Sequence, residues 1–483
     1  MPPTRLRPSS RLPRAAAHAS HRARALRIAV LLACALPGLG GCTAEAPPLR
    51  SIALITIDTL RADHVSAYGF PHATTAAIDA LAAHGALFER TIAAASSTIP
   101  SHAAMMTSHF PRRTSAGARN GDTRLEGLET LADRFSQGGW TTAAFVSNAV
   151  LQRRSGLDRG FSHYDDHLGA SEGRRVLFER VADDTAAATL AWLDAHPDSR
   201  VFVWVHLQDP HGPYTPPEAW LERVPPWRPP RDPALEVATS DVVRGRIPAY
   251  QFLKGLHRFS QYARRYAAEA VYADSGVARI VRALRARGPT AVVLTSDHGE
   301  SLGENGYFFQ HGHASTPDLA LVPLLIAAPG VVPTRRGGLA SHVDIAPTLL
   351  ELADLPPLAD AAGLELAPYL RSATPLPAGR AVFCDSVGES MLYLRDAALR
   401  VRGFGRRSAA RALARFEAGD TSALQFEGSI EQPGGVRAAI DPALDAQMRA
   451  YLRGEVPLAP SSPNPETRER LRALGYLGEV DGS

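Results

Sequence analysis

Four stretches of the chain carry side chains that could hold a cation and break an ester. Asp58 follows the apolar run 51-SIALITI-57 and Thr98 opens 98-TIPSHAAMMTS-108. His211 lies in 206-HLQDPHGPY-214, and Asp297, His298 and His311 lie in 295-TSDHGESLGENGYFFQHGH-313. Asp58, Asp297, His298 and the Thr98 hydroxyl together make a mixed oxygen and nitrogen donor set. One divalent ion is expected, Zn²⁺ or Mn²⁺ in preference to Ca²⁺ or Mg²⁺, because Ca²⁺ favours all-oxygen shells. A lone Asp at a strand end often only caps the next helix. An Asp-His-Gly-Glu string after a buried strand is more telling, since it makes a poor core.

Thr98 stands where a helix should begin. Ser97 or Thr98 suits the N-cap, and Pro100 is tolerated in the first turn. A helix N-terminus attracts anions, and a hydroxyl beside both a cation and that dipole ionises more readily. Thr98 could then attack a phosphoryl or sulfuryl centre in line, with a metal offsetting charge on the transferring oxygens. His102, one helical turn further on, and His211 and His311 could bind substrate oxygens or protonate the leaving group. A second metal near Asp209 and His211 stays open.

These residues need a scaffold that gathers them. Continuous apolar runs at 51–57, 140–147, 201–206, 291–296 and 324–328 read as strands buried on both faces. Helical periodicity fits 75–84, 126–136, 174–195, 259–287 and 344–354, besides the stretch from Pro100 onward. Strands alternating with helices predict an α/β fold with a large, mostly parallel sheet covered on both faces. In such sheets the ligand site lies at the carboxyl ends of the strands. Asp58, the 206–211 stretch and Asp297-His298 all fall there.

The Pro- and Arg-rich segment 213–258 reads as a long surface excursion or lid within a catalytic domain spanning 51–375. Short strands around 380–385 and 392–404 suggest a smaller C-terminal subdomain, 376–455, with a short antiparallel sheet. A linker and a short helix would close the chain over 456–483.

The bulk numbers describe an ordinary globular chain of 483 residues, 45% hydrophobic and 21% charged. Its formal charge of +3 misleads. Residues 1–41 hold seven arginines and no acid; removing them from the 52 basic residues leaves 45 against 49 acidic ones, a charge of −4. The basic character therefore belongs to a leader, and no nucleic-acid-binding surface is expected. That leader has an Arg-rich start and the run 28-IAVLLACALPGLGG-41, too short for a spanning anchor. Leu39-Gly40-Gly41-Cys42 resembles a bacterial lipobox, which implies cleavage of 1–41, a 42–50 linker and acylation of Cys42. The expected location is the bacterial cell envelope, lipid-anchored and periplasm-facing. Only Cys384 then remains, so no intrachain disulfide is expected.

Between about 50 and 375 the chain resembles the sulfatase family of the alkaline phosphatase superfamily. The resemblance rests on 55-ITIDTLRADHVSAYG-69, the 98–108 element, 157-LDRGFSHYDD-166, 209-DPHGPY-214 and the 266–280 helix. It continues through 296-SDHGESLGENG-306, Gln310-His311-Gly312 and 343-VDIAPTLLELA-353. It implies the residue matching Thr98 as nucleophile, Asp58, Asp297 and His298 at the metal, and His211 and His311 at the ester or leaving group. Lysine often stands at the last position, but the only lysine here, Lys254, lies outside the motif.

The departures from that family pattern carry as much information. Family members that hydrolyse sulfate carry Cys or Ser, oxidised to formylglycine, where this chain has Thr98, and Arg where it has His102. Threonine cannot yield that aldehyde. Thr59 replaces a metal-binding Asp and His298 a common Asn. The expected function is thus an exported, metal-dependent hydrolase of anionic esters, with Thr98 both ligand and nucleophile through a covalent intermediate. Phosphate esters are favoured over sulfate esters, the substrate being a small molecule or an envelope glycan. The alternatives are a phosphoethanolamine-type transferase acting on envelope glycan, and a non-catalytic binding protein on the same fold.

Overall fold

The computed structural model describes residues 48–114, 120, 125, 127–169, 179–239, 243–386, 389–394, 397–402, 424–427 and 442–452. Cys42, the leader and the expected C-terminal linker and helix at 456–483 lie outside them.

The strands are β1 (Ser51–Ile57), β2 (Ala86–Ile92), β3 (Thr141–Phe145), β4 (His163–Asp165), β5 (Val201–Leu207), β6 (Glu236–Val237), β7 (Arg246–Ile247) and β8 (Thr290–Ser296). They continue with β9 (Ser301–Leu302), β10 (Phe308–Gln310), β11 (Leu321–Ala327), β12 (Thr334–Ser341), β13 (Ala381–Asp385), β14 (Glu389–Leu394), β15 (Ala397–Arg402) and β16 (Leu424–Glu427). The helices used below are α1 (Ala76–His84), α2 (Thr98–Thr107), α3 (Leu131–Gln137), α4 (Ala182–Ala195), α5 (Glu218–Leu221), α6 (Phe259–Ala286) and α7 (Pro317–Ala320). After them come α8 (Ile345–Leu352), α9 (Ala367–Leu370) and α10 (Pro442–Leu452).

Eight strands form the main sheet in the order β12-β2-β11-β8-β1-β5-β3-β4. Only β11 runs against its neighbours, β2 and β8; the other pairings are parallel. The central strands β1, β5 and β8 are buried at every residue, as their unbroken apolar runs require. Their side chains alternate between two cores. Ile52, Leu54, Phe202, Trp204 and Val293 face α2, α3 and α8. Ala53, Ile55, Val203, Val205 and Leu294 face α1, α4 and α6. A second sheet, β13-β14-β15-β16, is wholly antiparallel and lies C-terminal to the first. The α/β architecture with a large parallel-rich sheet and a small antiparallel one is therefore as the sequence implies.

Local chemistry accounts for the boundaries that differ. The helix expected from 126 begins at Leu131, because Thr130 and Asp133 close a capping box there. In the described part of the expected 174–195 helix, α4 starts at Ala182, whose N–H donates to Asp209 Oδ2 at 2.8 Å. That contact turns the Asp209 carboxylate towards a helix end. Periodicity misses β2 and β12 altogether, because ALFERTI and TRRGGLAS carry charges at the sheet's margin. The 213–258 excursion holds α5 and the parallel β6–β7 pair. Leu235 and Ile247 anchor it in a core with Tyr214, Tyr262 and Phe309.

Candidate active site

The sheet delivers the expected residues to one end. β1, β5 and β8 run in register, Ile57 beside Leu207 and Ser296, so the next residues of all three emerge together. Asp58 is pinned by its own N–H, which donates to Leu207 O at 2.9 Å. Thr59 follows with φ 56°, a left-handed conformation that costs a β-branched residue about 1–3 kcal/mol. Tyr266 holds it there, donating its hydroxyl to Thr59 O at 2.7 Å and accepting from Arg61 N–H at 3.0 Å. The turn aims the Thr59 N–H at Asp297 Oδ1, 3.1 Å away. The His298 N–H donates to the same oxygen at 2.9 Å. Gly299 is obligatory in this string: a β-carbon there would stand 2.1 Å from Asp318 O.

Thr98 is the first residue of α2 and 1% exposed. Ser97 occupies the N-cap position without a capping bond from its side chain. Asn120 serves the helix end instead, accepting from Ile99 N–H at 2.9 Å. Thr98 Oγ1 lies 3.4 Å from His298 Nε2. That nitrogen is also 3.5 Å from Asp297 Oδ2 and 3.8 Å from Asp58 Oδ1. His298 Nδ1 meets Gly299 O at 3.0 Å, so it carries the proton and Nε2 presents its lone pair to these oxygens. The meeting of residue 98 with residues 58, 297 and 298 is thus a feature of the structure.

His102 lies elsewhere than its expected place beside an ester. It is fully buried under α2, its Nδ1 2.8 Å from Thr98 O and its Nε2 3.0 Å from Thr56 Oγ1. The Trp204 indole, a donor only, gives its proton to Thr56 Oγ1 at 3.1 Å. The Thr98 carbonyl can only accept, so the neutral ring carries its proton on Nδ1, and Nε2 accepts from the Thr56 hydroxyl. Both ring nitrogens are engaged, and burial holds the imidazole neutral, well below its ordinary range.

His211 and His311 stand at the outer side, ring centres 5.0 Å apart, with His311 4.5 Å from His298. Glu300 Oε1 lies 3.4 Å from His311 Nδ1; burial raises that carboxyl, and His311 offsets part of the rise. Asp58 and Asp297 oppose one another. Burial favours protonation of both, yet the neighbouring His211 imidazole holds Asp58 low. Asp297 is pushed well above the carboxylate range by burial and by the Asp58 charge. Burial, with the neighbouring His311, lowers His298 to about 3.

Asp58, Asp297 and His298 offer ligand atoms within 4.8 Å of one another, all buried. Asp58 Oδ1 and Asp297 Oδ2 lack hydrogen-bond partners. Two buried carboxylate oxygens left without donors beside an imidazole lone pair are what a cation would satisfy. The donor set therefore fits a divalent ion.

The sulfatase family model matches residues 50–355. This chain belongs to the sulfatase family. It is an ester hydrolase of the sulfuric-ester class, in a family that depends on metal. A Δ4,5-hexuronate-2-O-sulfatase of Bacteroides thetaiotaomicron is 25% identical over 370 residues, 69% of this chain and 74% of the relative. Among solved structures, the phosphonate monoester hydrolase of Agrobacterium radiobacter superposes with TM-score 0.61 at 19% identity, covering 88% of this chain and 96% of its own. That of Silicibacter pomeroyi gives 0.63 at 17%, covering 86% and 96%. At these identities the two structures share the sulfatase fold with this chain.

Spacing alone missed two residues of this sulfatase-fold site. Asn148 donates from Nδ2 to Asp58 Oδ2 at 2.8 Å. His206 Nε2 lies 3.4 Å from the same oxygen. Asn148 follows β3 and His206 lies near the end of β5; the strand-end rule takes in the 206–211 stretch but gives His206 no role of its own, and it could have found Asn148.

Proposed function

We propose that this family member is a metal-dependent hydrolase of phosphate-type esters, with Thr98 as nucleophile, working at the cell envelope. The observation that carries the reading is the contact of Thr98 Oγ1 with His298 Nε2 at the buried N-terminus of α2, beside two carboxylate oxygens without donors. Asp58, Asp297, His298 and Thr98 would hold the ion, and such an ion supplies Lewis-acid stabilisation of charge on the transferring oxygens. The Thr98 hydroxyl releases its proton to water, and Thr98 Oγ forms a bond to phosphorus as the leaving-group oxygen departs. His311 or His211 gives that oxygen its proton. Water then attacks phosphorus, releasing phosphate and restoring the Thr98 hydroxyl. His102 acts behind the nucleophile, fixing the Thr98 carbonyl and so the first turn of α2.

One feature supports a preference for phosphorus over sulfur: threonine cannot become formylglycine. The test is turnover of p-nitrophenyl phosphate, a phosphodiester, a phosphonate monoester and a sulfate by the purified protein, across Zn²⁺, Mn²⁺, Mg²⁺ and Ca²⁺. Turnover of the sulfate alone would overturn the preference.

Export and acylation at Cys42 belong to the same reading. Among the described residues no helix is long and apolar enough to cross a membrane. A Cys42→Ser variant should leave the membrane fraction without losing specific activity; retention in the membrane would refute the anchor.

A further inference from the structure

The metal-binding reading above takes His298 as its one imidazole ligand; the hydrogen-bond pattern points to a second. His206 is fully buried near the end of β5. The Ser147 hydroxyl donates to the His206 carbonyl in a very short contact. Its proton is thereby used, so the 3.3 Å contact between Ser147 Oγ and His206 Nδ1 must be donated by the imidazole. His206 Nε2 is then left with a bare lone pair. It has no hydrogen-bond partner, and it faces Asp58 Oδ2, also an acceptor, at 3.4 Å.

His298 shows the same wiring. Its Nδ1–H is fixed by a carbonyl, and its Nε2 lone pair is turned to Asp297 Oδ2 and Asp58 Oδ1. Imidazoles that bind metals commonly donate their other N–H to an oxygen in this way. The separation suits a shared ion too. His206 Nε2 lies 3.4 Å from Asp58 Oδ2, close to the roughly 3.3–3.4 Å between two ligands about 2.0–2.1 Å from a tetrahedral ion. His206 also has a ligand atom within 4.8 Å of Asp297 and of His102. His102 does not compete, because Thr98 O and Thr56 Oγ1 already take both of its nitrogens.

We propose that His206 is a metal ligand through Nε2, so that the ion sits between two carboxylates and two imidazoles. A second imidazole adds a nitrogen donor to the shell. It would bias the site towards Zn²⁺, Mn²⁺ or Co²⁺ and away from Ca²⁺.

The proposal rests on the metal-binding part of the proposed function, and the test separates the two. X-ray absorption of the Zn²⁺-loaded full-length protein should show two imidazoles on the metal, and one in His206→Ala. Competition with a chromophoric chelator should show Zn²⁺ affinity lowered about 10²-fold or more in that variant. His102→Ala should keep two imidazoles. A single imidazole in the wild type, or two retained in His206→Ala, overturns the assignment and leaves the ion at Asp58, Asp297 and His298. Absence of any bound Zn²⁺ overturns both readings. The wild-type count needs no variant, so a misfolded His206→Ala cannot shield the proposal.

Discussion

Removing the Thr98 hydroxyl is the sharpest test of the site. Thr98→Ala deletes one oxygen and one methyl from a side chain that is 1% exposed. The lost methyl is worth about 0.8 kcal/mol. The lost hydroxyl contact, at 3.4 Å from His298, adds little. For a chain of this length, about 1 kcal/mol moves Tm by roughly 1 °C, since unfolding entropy grows with residue number. Turnover responds on another scale. Without the nucleophile no covalent intermediate can form, and only the electrostatics of the site remain. The expected loss in kcat/KM is about 10²-fold or more, at least about 2.7 kcal/mol in the barrier. Asp58, Asp297 and His298 remain, so divalent metal should still bind, more weakly.

Three measurements separate a chemical from a structural effect. Thermal unfolding should hardly change. Chelator competition should show metal retained. Mass spectrometry of quenched turnover should find a phosphoryl adduct on the 98–108 peptide of the wild type and none on the variant. Thr98→Ser, which keeps the hydroxyl but loses the β-branch that narrows its rotamers, should stay within about tenfold of wild type. A Thr98→Ala protein turning over within threefold of wild type would refute the nucleophile assignment.

The other expectations concern what surrounds that hydroxyl. His298→Ala and Asp297→Asn should lower activity and raise the metal concentration needed to reach half of it, as read from metal titrations; an unchanged requirement would count against the ion. Thr56→Val strands the Trp204 indole and His102 Nε2 in the core, at about 2–4 kcal/mol by urea denaturation, and Thr56→Ser should restore most of it. Asp274 gives the pH dependence. It accepts from the Ala77 and Ile78 amides at the start of α1, and burial lifts its carboxyl from 3.8 to about 6. The folded state thus binds that proton more tightly than the unfolded chain. Its contribution is fullest below about pH 4 and falls by about 3 kcal/mol as pH rises past about 6. The stability of wild type relative to Asp274→Asn should fall over that range; a flat difference would refute the shift.

How far the site was legible follows from where each residue sits. Asp58, Asp297 and His298 end strands whose apolar runs are unbroken, so period and position together place them. Thr98 was legible because Pro100 and the small residues after it announce a helix start. His102 misled, because spacing puts it near Thr98 but cannot show that Trp204 and Thr56 fix its protons. His206 falls in the 206–211 stretch at a strand end, but its proposed role rests on a bare lone pair, which depends on a serine 59 positions away. The strands β2 and β12 carry Glu, Arg and Gly, so pairing in the sheet, more than their own pattern, makes them strands.

The departures from the family pattern also have an internal logic. His102 in place of arginine removes one positive charge, and Thr59 in place of aspartate removes one negative charge. On the proposed reading, the net charge of the site would be unchanged while its donors shift from oxygen to nitrogen. The nucleophile changes in step. An aldehyde hydrate holds a second hydroxyl, which can expel an esterified oxygen by re-forming the carbonyl. A threonyl ester has no such exit, so water must attack the transferred centre itself. The second attack therefore needs the same electrostatic support as the first, and a cation held in a dry, imidazole-rich shell beside the N-terminus of α2 can serve both.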